Sequence, residues 1–314
     1  MTGMIERLPH ALLLHGVPGV GKLALAERFA RFLVCENRSQ ASQPCGRCEG
    51  CRWFLAGSHP DVRLLEPETL GLARSTAATA EEGDEPRAKD SKPSNQIKIE
   101  QTRALQEFVQ VGSHRGGYRV AIVHPAEDMN IATANSLLKM LEEPPAGAVF
   151  LLVSHRPARL LPTIRSRCVP VPVPLPGKKA AVAWLGAQGV RNAELWLAFA
   201  GGAPLRALEY ANGDRGEAIE RILRSLAAGD RSALAEVRDR EALDPLAEVL
   251  QKMALDRAFA ALTGRGKYGA AAVAGDGRAW LAYARQMGRH RTLTRHPLNP
   301  RLFATEMVAD MPGN

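Results

Sequence analysis

Four of the five cysteines lie close together in the chain, and their thiolates are ligands that soft metal ions prefer. Nine, two and two residues separate Cys35, Cys45, Cys48 and Cys51. In a chain without signs of secretion, such clustering favours a metal site over disulfides. Four thiolates complete a tetrahedral shell, so we predict a closed, structural zinc site over residues 35–51. Reactive thiols or another soft metal are the alternatives.

The fifth cysteine and a nearby His-Pro-Asp sequence are weaker metal candidates. Cys168 stands alone in a separate segment, and we expect it to be packed at an interface. His59 and Asp61 belong to the segment Gly57–Asp61, where they could suggest a metal site. We favour a role in shaping the turn into the next strand.

A phosphate-binding loop is the second candidate site. The segment Gly16–Lys22 fits the pattern GxxxxGK and lies between an apolar run and an amphipathic helical pattern. Glycine N–H groups can wrap a phosphate, the helix N terminus adds positive potential, and the lysine supplies a charge. We predict that Gly16, Gly19, Gly21 and Lys22 bind nucleotide phosphates. The alternative is a glycine-rich turn that arose by chance.

The groups that nucleotide hydrolysis requires are missing. A Ser or Thr hydroxyl should follow the lysine and hold Mg²⁺, but Leu23 offers only hydrocarbon. An acidic pair should follow the next sheet strand to hold Mg²⁺ and activate water, but the chain has His124 and Pro125. Glu127 and Asp128 come later, and we expect them to face solvent. Nucleotide binding is therefore possible, and we predict that this chain does not hydrolyse ATP.

A sheet must position these candidate residues. Short apolar runs alternate with helical patterns, which predicts an α/β fold, a parallel sheet with helices on both faces. The predicted strands begin at Ala11 and cover residues 62–65, 119–123, 149–154 and an irregular, proline-rich edge strand over 168–175.

The pattern changes after Pro176, where strand signals end and helical periodicity continues. We predict an α/β P-loop domain over residues 1–175, a small helical lid domain over 176–212 and an all-α domain over 213–314. Within the first domain, residues 71–95 are rich in Ala, Thr, Ser and Glu, which predicts a mobile surface loop.

The net charge of +8 is concentrated in one segment. Residues 257–301 contain nine Lys or Arg and a single acidic residue, Asp276. Such a stretch can attract phosphate backbones, or it can be a solvated, arginine-rich helical surface. The sequence contains neither a run of about 18 apolar residues nor a signal peptide, so we expect a cytosolic protein without a membrane partner.

Several segments occur in an order that resembles a known family. These are Leu8–Lys22, the four-cysteine insertion, Gly57–Asp61, Asn135–Pro145 and Arg165–Cys168. Over roughly residues 8–176, this order is similar to the AAA+ clamp-loader subunits of bacterial DNA polymerase III. The strand end His124–Met129 and the closing segment Asn299–Val308 look like the delta-prime branch, since the gamma/tau branch keeps an intact acidic pair. That family has a helical lead-in before its first strand, so we expect the start of this chain to be truncated or misannotated.

The resemblance implies a role for one arginine. In this family the sequence Ser166-Arg167-Cys168 lies at a subunit interface, where Arg167 would reach the γ-phosphate of ATP bound by the adjacent subunit. A guanidinium suits this role because it is always charged and can bond two phosphate oxygens at once. Arg165 is the competing candidate for such an arginine finger, and a structural ion pair of Arg167 is the alternative.

The resemblance also implies an assembly. The chain would be a non-hydrolysing subunit of a hetero-oligomeric loader, with gamma/tau and delta partners and an all-α collar. Through that complex it would act on the sliding clamp and primed DNA during replication. One alternative is an active gamma/tau-like ATPase, which the missing magnesium and water ligands oppose. Another is a zinc-dependent DNA-binding protein, for which Arg47, Arg52, Trp53 and Phe54 are too few contacts.

Overall fold

The chain divides into two compact units, Met1–Pro174 and Leu175–Asn314. The computed structural model describes residues 8–38, 43–79, 93–113, 117–235, 237, 239–264, 266, 276–294, 296 and 299–312. A further division of the second unit at residue 212, into lid and collar, stays a prediction.

The first unit is built on a five-stranded parallel sheet in the order β2-β3-β4-β1-β5. The strands are β1 (Ala11–His15), β2 (Val62–Leu65), β3 (Arg119–Val123), β4 (Ala148–Ser154) and β5 (Val169–Pro172). The helices are α1 (Lys22–Leu33), α2 (Glu49–Leu55), α3 (Glu68–Thr79), α4 (Ile99–Gln110), α5 (Ile131–Glu142) and α6 (Pro162–Arg167).

Helices cover both faces of this sheet because alternate strand residues point to opposite sides. Ala11 and Leu13 of β1 belong to one apolar cluster, which includes residues of α4, α5 and α6. Leu12 and Leu14 belong to another cluster, which includes residues of α1. The predicted α/β class, a parallel sheet with helices on both faces, is confirmed.

Strand order determines where a site can form. β1 lies between β4 and β5, and β3 lies on the other side of β4. The carboxyl ends of β1, β3 and β4 therefore meet at one edge, with His15 in register with Ser154. In open parallel sheets, ligands bind at this edge, outside the strand ends.

The expectation of a loop over residues 71–95 is wrong for residues 71–79, which belong to α3. Alanine and leucine in this segment have high helix propensity. Arg74 also joins α3 to the rest of the unit, through ion pairs with Glu27 at 2.9 Å and Glu66 at 3.1 Å. Residues 80–92 of the expected loop lie outside the described residues.

The second unit is helical wherever it is described. Its helices are α7 (Lys178–Ala187), α8 (Ala193–Phe199), α9 (Pro204–Asn212), α10 (Gly216–Ala228), α11 (Arg231–Ala235), α12 (Leu243–Thr263), α13 (Gly277–Leu293) and α14 (Pro300–Ala309). One apolar cluster includes Trp196, Ile219, Leu246, Met287 and Met307, so helices from the start and end of the unit share a core. Among the described residues of the whole chain, no helix is long and apolar enough to cross a membrane.

Candidate functional site

The predicted phosphate loop connects β1 to α1 at the carboxyl edge of the sheet. Gly19 and Gly21 adopt φ values of +79° and +93°, which favour glycine. The backbone of Gly16 packs closely against the residue that follows β5: a Cβ at this position would lie 2.5 Å from the carbonyl oxygen of Val173. The three glycines that we predicted are therefore required by the shape of the loop.

Lys22 occupies the interior of the loop. Its side chain is buried, and Nζ donates hydrogen bonds to the carbonyl oxygens of Gly16 at 2.8 Å and Val17 at 2.7 Å. Burial lowers the pKa of Lys22 to about 8, against the opposing effect of the Glu127 carboxylate. Lys22 is therefore held in place by the loop, and its ammonium carries the local positive charge.

His124 occupies the first of the two positions where an acidic pair would be needed, and His155 lies beside it. His124 follows β3 and His155 follows β4, and their rings meet edge to face with centroids 5.4 Å apart. Burial, and then the neighbouring His155, lower the pKa of His124 to about 4; burial also lowers the pKa of His155. Both imidazoles are neutral at pH 7 and are poor ligands for Mg²⁺.

The position of the magnesium hydroxyl is also apolar. Leu23 packs against the cluster that α1 forms with the sheet, so its side chain contributes to the core. Neither Leu23, His124 nor Pro125 offers an oxygen ligand from its side chain.

Glu127 does not face solvent, which corrects our expectation. A 3₁₀ turn over Ala126–Asp128 folds this segment across the sheet edge. Oε1 of Glu127 accepts hydrogen bonds from the backbone N–H groups of His155 at 2.9 Å and Arg156 at 3.0 Å. Oε2 is buried and has no hydrogen-bond partner among the described residues. The carboxylate thus satisfies two donors at the end of β4.

Asp128 is also partly buried, again against our expectation. Burial, and then the charge of Glu127, raise the pKa of the Asp128 carboxyl group. Asp128 belongs to the same 3₁₀ turn as Glu127.

Our sequence analysis missed His155, and it named Glu127 but placed its side chain in solvent. His155 directly follows a fully buried strand, so the rule that parallel strand ends share one edge could have placed it here. No signal in the sequence pattern indicated that Glu127 bonds to the end of β4, because its position depends on the turn.

The four clustered cysteines form a possible metal site. Their Sγ atoms all lie within 4.8 Å of one another, and those of Cys35 and Cys48 are 3.9 Å apart. Four sulfurs at about 2.3 Å from a tetrahedral zinc ion would be about 3.8 Å apart. The cluster could therefore hold one metal ion of this size.

Backbone N–H groups point at these sulfurs. Cys45, Cys48 and Cys51 donate from their backbone nitrogens to the Sγ atoms of Cys35, Cys45 and Cys48, at 3.5, 3.4 and 3.4 Å. The N–H groups of Arg47 and Cys48 lower the pKa of Cys45 to about 6, whereas burial raises the pKa of Cys51 to about 12. Cys35 and Cys51 are buried and Cys45 and Cys48 are half-buried, and a bound cation would stabilise the thiolate form of all four.

Local structure positions the cysteines. Cys35 follows the end of α1, and Cys48 caps the N terminus of α2, which contains Cys51. Gly46 has a φ of +73°, which suits the turn between ligands. At Gly50, a Cβ would lie 2.5 Å from the carbonyl oxygen of Val34, so glycine allows α2 to approach the end of α1.

The role that we favoured for His59 and Asp61 is confirmed. Nδ1 of His59 accepts a hydrogen bond from the backbone N–H of Asp61 at 3.0 Å, which closes the turn before β2. The buried Asp61 carboxylate also accepts from the Ser113 hydroxyl at 3.0 Å and lies 3.6 Å from Nε of Arg119. These contacts make the pair part of the structural framework.

Arg167 is the last residue of α6, and its side chain is 35% exposed. Nη2 lies 2.7 Å from Oε1 of Glu142, and Nη1 donates to the carbonyl oxygen of Thr163 at 2.9 Å. Arg165 instead lines a cavity of about 440 Å³ together with His15 of β1 and other residues. The two arginines therefore have different surroundings.

Cys168 lies within the core of its own unit rather than at an exposed interface. Burial raises the pKa of its thiol to about 11. Cys168 is buried because it connects α6 to the edge strand β5, where its side chain packs into the apolar cluster.

Sequence comparison relates the first unit to a known family. Residues 4–176 match the family described as DNA polymerase III, delta subunit. A DNA polymerase III subunit delta' of Pseudomonas aeruginosa is 43% identical over 202 residues, which cover 63% of this chain and 54% of that protein. The corresponding subunit of Escherichia coli is 34% identical over 221 residues, 69% of this chain and 59% of that protein.

A DNA polymerase III subunit tau of Salmonella typhimurium is 34% identical over 165 residues, 52% of this chain and 22% of that protein. The alignments thus span little more than half the length of the delta' relatives.

Proposed function

Because the chain belongs to the family described as DNA polymerase III, delta subunit, we propose that it is a delta-prime-type subunit of a clamp loader. In this role it does not hydrolyse ATP. It completes the ATP site of a neighbouring gamma/tau-type subunit, and with gamma/tau and delta partners it helps to place the sliding clamp on primed DNA.

The observation that carries the proposal is the composition of the sheet edge. The phosphate loop and Lys22 are complete, but Leu23 is half-buried against the apolar cluster, and two neutral histidines lie at the ends of β3 and β4. The loop offers no hydroxyl ligand for Mg²⁺, and no acidic pair follows β3 to activate a water molecule. A nucleotide could bind to such a loop, but its hydrolysis lacks these groups.

Arg167 is the residue that we assign to the neighbour's site. The side chains of Arg167 and of its ion-pair partner Glu142 are both partly exposed. The guanidinium can therefore leave Glu142 and bind a phosphate of the neighbouring site. Supplied in trans, an arginine finger increases the hydrolysis rate by about 10³–10⁵-fold. Arg165 is the alternative donor.

We further propose that Cys35, Cys45, Cys48 and Cys51 hold a structural zinc ion. Zinc would supply the positive charge that keeps four thiolates together and would fix α2 against the end of α1. Four cysteine ligands fill the coordination shell, so we assign no catalytic role to this site.

ATP hydrolysis tests the proposal. The isolated chain should show no turnover above background, and its addition to a gamma-type partner should raise DNA-stimulated turnover. An isolated chain that turns over ATP at a rate ordinary for this class of ATPase would overturn the proposal.

A second candidate function is an active ATPase of the gamma/tau kind, which the buried and unpartnered Oε2 of Glu127 favours. In that case Glu127 would replace the missing acidic pair. The isolated chain would then hydrolyse ATP in a magnesium-dependent way, and Glu127→Gln would abolish this activity.

A further inference from the structure

The exposed face of α13 carries a row of arginines that the core does not use. Arg278, Arg285 and Arg289, the arginine row, are all exposed. At about 100° per residue, they lie within roughly 40° of one another around the helix. Trp280 and Met287 are buried on the opposite face. The row therefore places three positive charges on one solvent-facing side of the helix.

Carboxylates do not neutralise this row. Within the described part of the chain, no ion pair involves the three guanidinium groups. α13 contains neither Asp nor Glu, and the carboxylate of Asp276, which caps the helix, accepts from the backbone N–H of Arg278 at 2.9 Å. By contrast, Arg215 and Arg291 of the same unit both pair with Asp244, at 2.7 and 3.3 Å. The arginine row thus leaves three positive charges available for a polyanion.

The spacing of the row suits a regular polyanion. Arg285 and Arg289 are separated by about 6 Å along the helix axis, and Arg278 and Arg285 by about 10.5 Å. Duplex DNA carries a negative charge about every 1.7 Å of its axis when both strands are counted, so the length of the row corresponds to roughly ten phosphates, of which those on the facing side are within reach. Each guanidinium can reach one of them without a particular base sequence.

The side chains on this face favour duplex over single-stranded nucleic acid. Proteins that bind single strands usually stack bases on exposed aromatic rings. Trp280 and Tyr283, the aromatic residues of α13, are both buried. The row therefore offers phosphate contacts and no surface on which a base can stack.

A protein partner fits a different surface. On α12, the apolar side chains of Leu255, Phe259 and Leu262 are exposed. Protein interfaces bury such groups at their centre, where charged residues are depleted. The arginine row has the opposite composition.

We propose that the arginine row binds the phosphate backbone of duplex DNA without sequence specificity. This inference does not depend on the phosphate loop or Arg167, since both lie in the first unit. It assigns a DNA contact to the helical second unit of the chain.

Fluorescence anisotropy with the full chain and a labelled 20-base-pair duplex tests the inference. The triple variant Arg278→Gln, Arg285→Gln, Arg289→Gln should bind the duplex roughly tenfold or more weakly at moderate salt. Because each lost phosphate contact lowers the slope of log K against log salt by about 0.9, the slope should fall by two to three.

The matched control is Lys179→Gln, Arg191→Gln, Arg221→Gln, which removes the same charge from exposed positions of the same unit. This control should keep most of the affinity. A second variant with lysine at all three row positions keeps the charge and should bind nearly as well as the unmodified chain. Circular dichroism establishes that each variant is folded.

Four outcomes would overturn the inference. They are no duplex binding by the unmodified chain, equal losses in the row and control variants, tighter binding to a single strand of the same length, and displacement of the duplex by polyglutamate at equal charge concentration. The last result would identify an acidic protein segment as the partner.

Discussion

Replacing Arg167 with alanine should remove the stimulation that the chain gives to its partner's ATPase. An arginine finger worth about 10³–10⁵ in rate corresponds to about 4–7 kcal/mol of transition-state stabilisation. To reach a neighbour, the guanidinium must leave Glu142, which lies 2.7 Å away and is 49% exposed. An exposed ion pair contributes only about 0.2–1 kcal/mol. The ion pair is therefore too weak to prevent Arg167 from binding the phosphate of a neighbouring subunit.

Three variants separate these contributions in a DNA-stimulated ATPase assay with a gamma-type partner. Arg167→Ala should return turnover to the level without this chain. Glu142→Gln should change the stimulation by no more than about fivefold, because 1 kcal/mol corresponds to that factor. Arg165→Ala should leave it unchanged. Full stimulation by Arg167→Ala, or loss in Arg165→Ala alone, would refute the assignment.

Three further predictions concern stability and metal content. Gly50→Ala should lower the free energy of unfolding by about 1–3 kcal/mol, because its Cβ would meet the Val34 carbonyl oxygen. Gly186→Ala in α7 would meet no other atom, so it should raise the free energy of unfolding by up to about 1 kcal/mol. Urea titration measures both variants, and equal effects would contradict the packing argument. The pKa of His124 is about 4 in the folded chain, below the ordinary 6.5, so protonation of the unfolded state lowers the stability by about 3 kcal/mol as the pH falls from 6.5 to 4. His124→Gln should flatten this part of the pH profile of unfolding, and an unchanged profile would exclude His124 as its source. Cys51→Ser should abolish zinc binding measured by metal analysis and lower Tm, while Cys168→Ser should keep one zinc per chain; zinc retained by the Cys51 variant would rule out the four-thiolate site.

The parts of the fold that could be predicted depend on short-range patterns. The run from Ala11 to Lys22 has a composition typical of a strand, a turn and the start of a helix. The spacing of the four cysteines is typical of the ligands of one metal ion. In both cases the deciding residues are neighbours in the chain.

The position of Glu127 could not be predicted in this way. A turn over three residues brings its carboxylate to the backbone of His155 and Arg156, which belong to a segment 28 and 29 residues further on. The pairing of α3 with Glu27 through Arg74 is equally non-local. An alanine-rich composition is compatible with loop or helix, and tertiary contacts decided between them.

The most direct test of the account compares Lys22→Met with Arg167→Ala in the reconstituted loader. Both variants should first be shown to fold, since Lys22 is buried and bonded to its loop. If the chain serves its neighbour's site, Lys22→Met should retain the stimulated ATP turnover and Arg167→Ala should lose it. Loss of the same turnover in Lys22→Met, with Arg167→Ala unaffected, would show that the working site is the chain's own phosphate loop and would contradict the account.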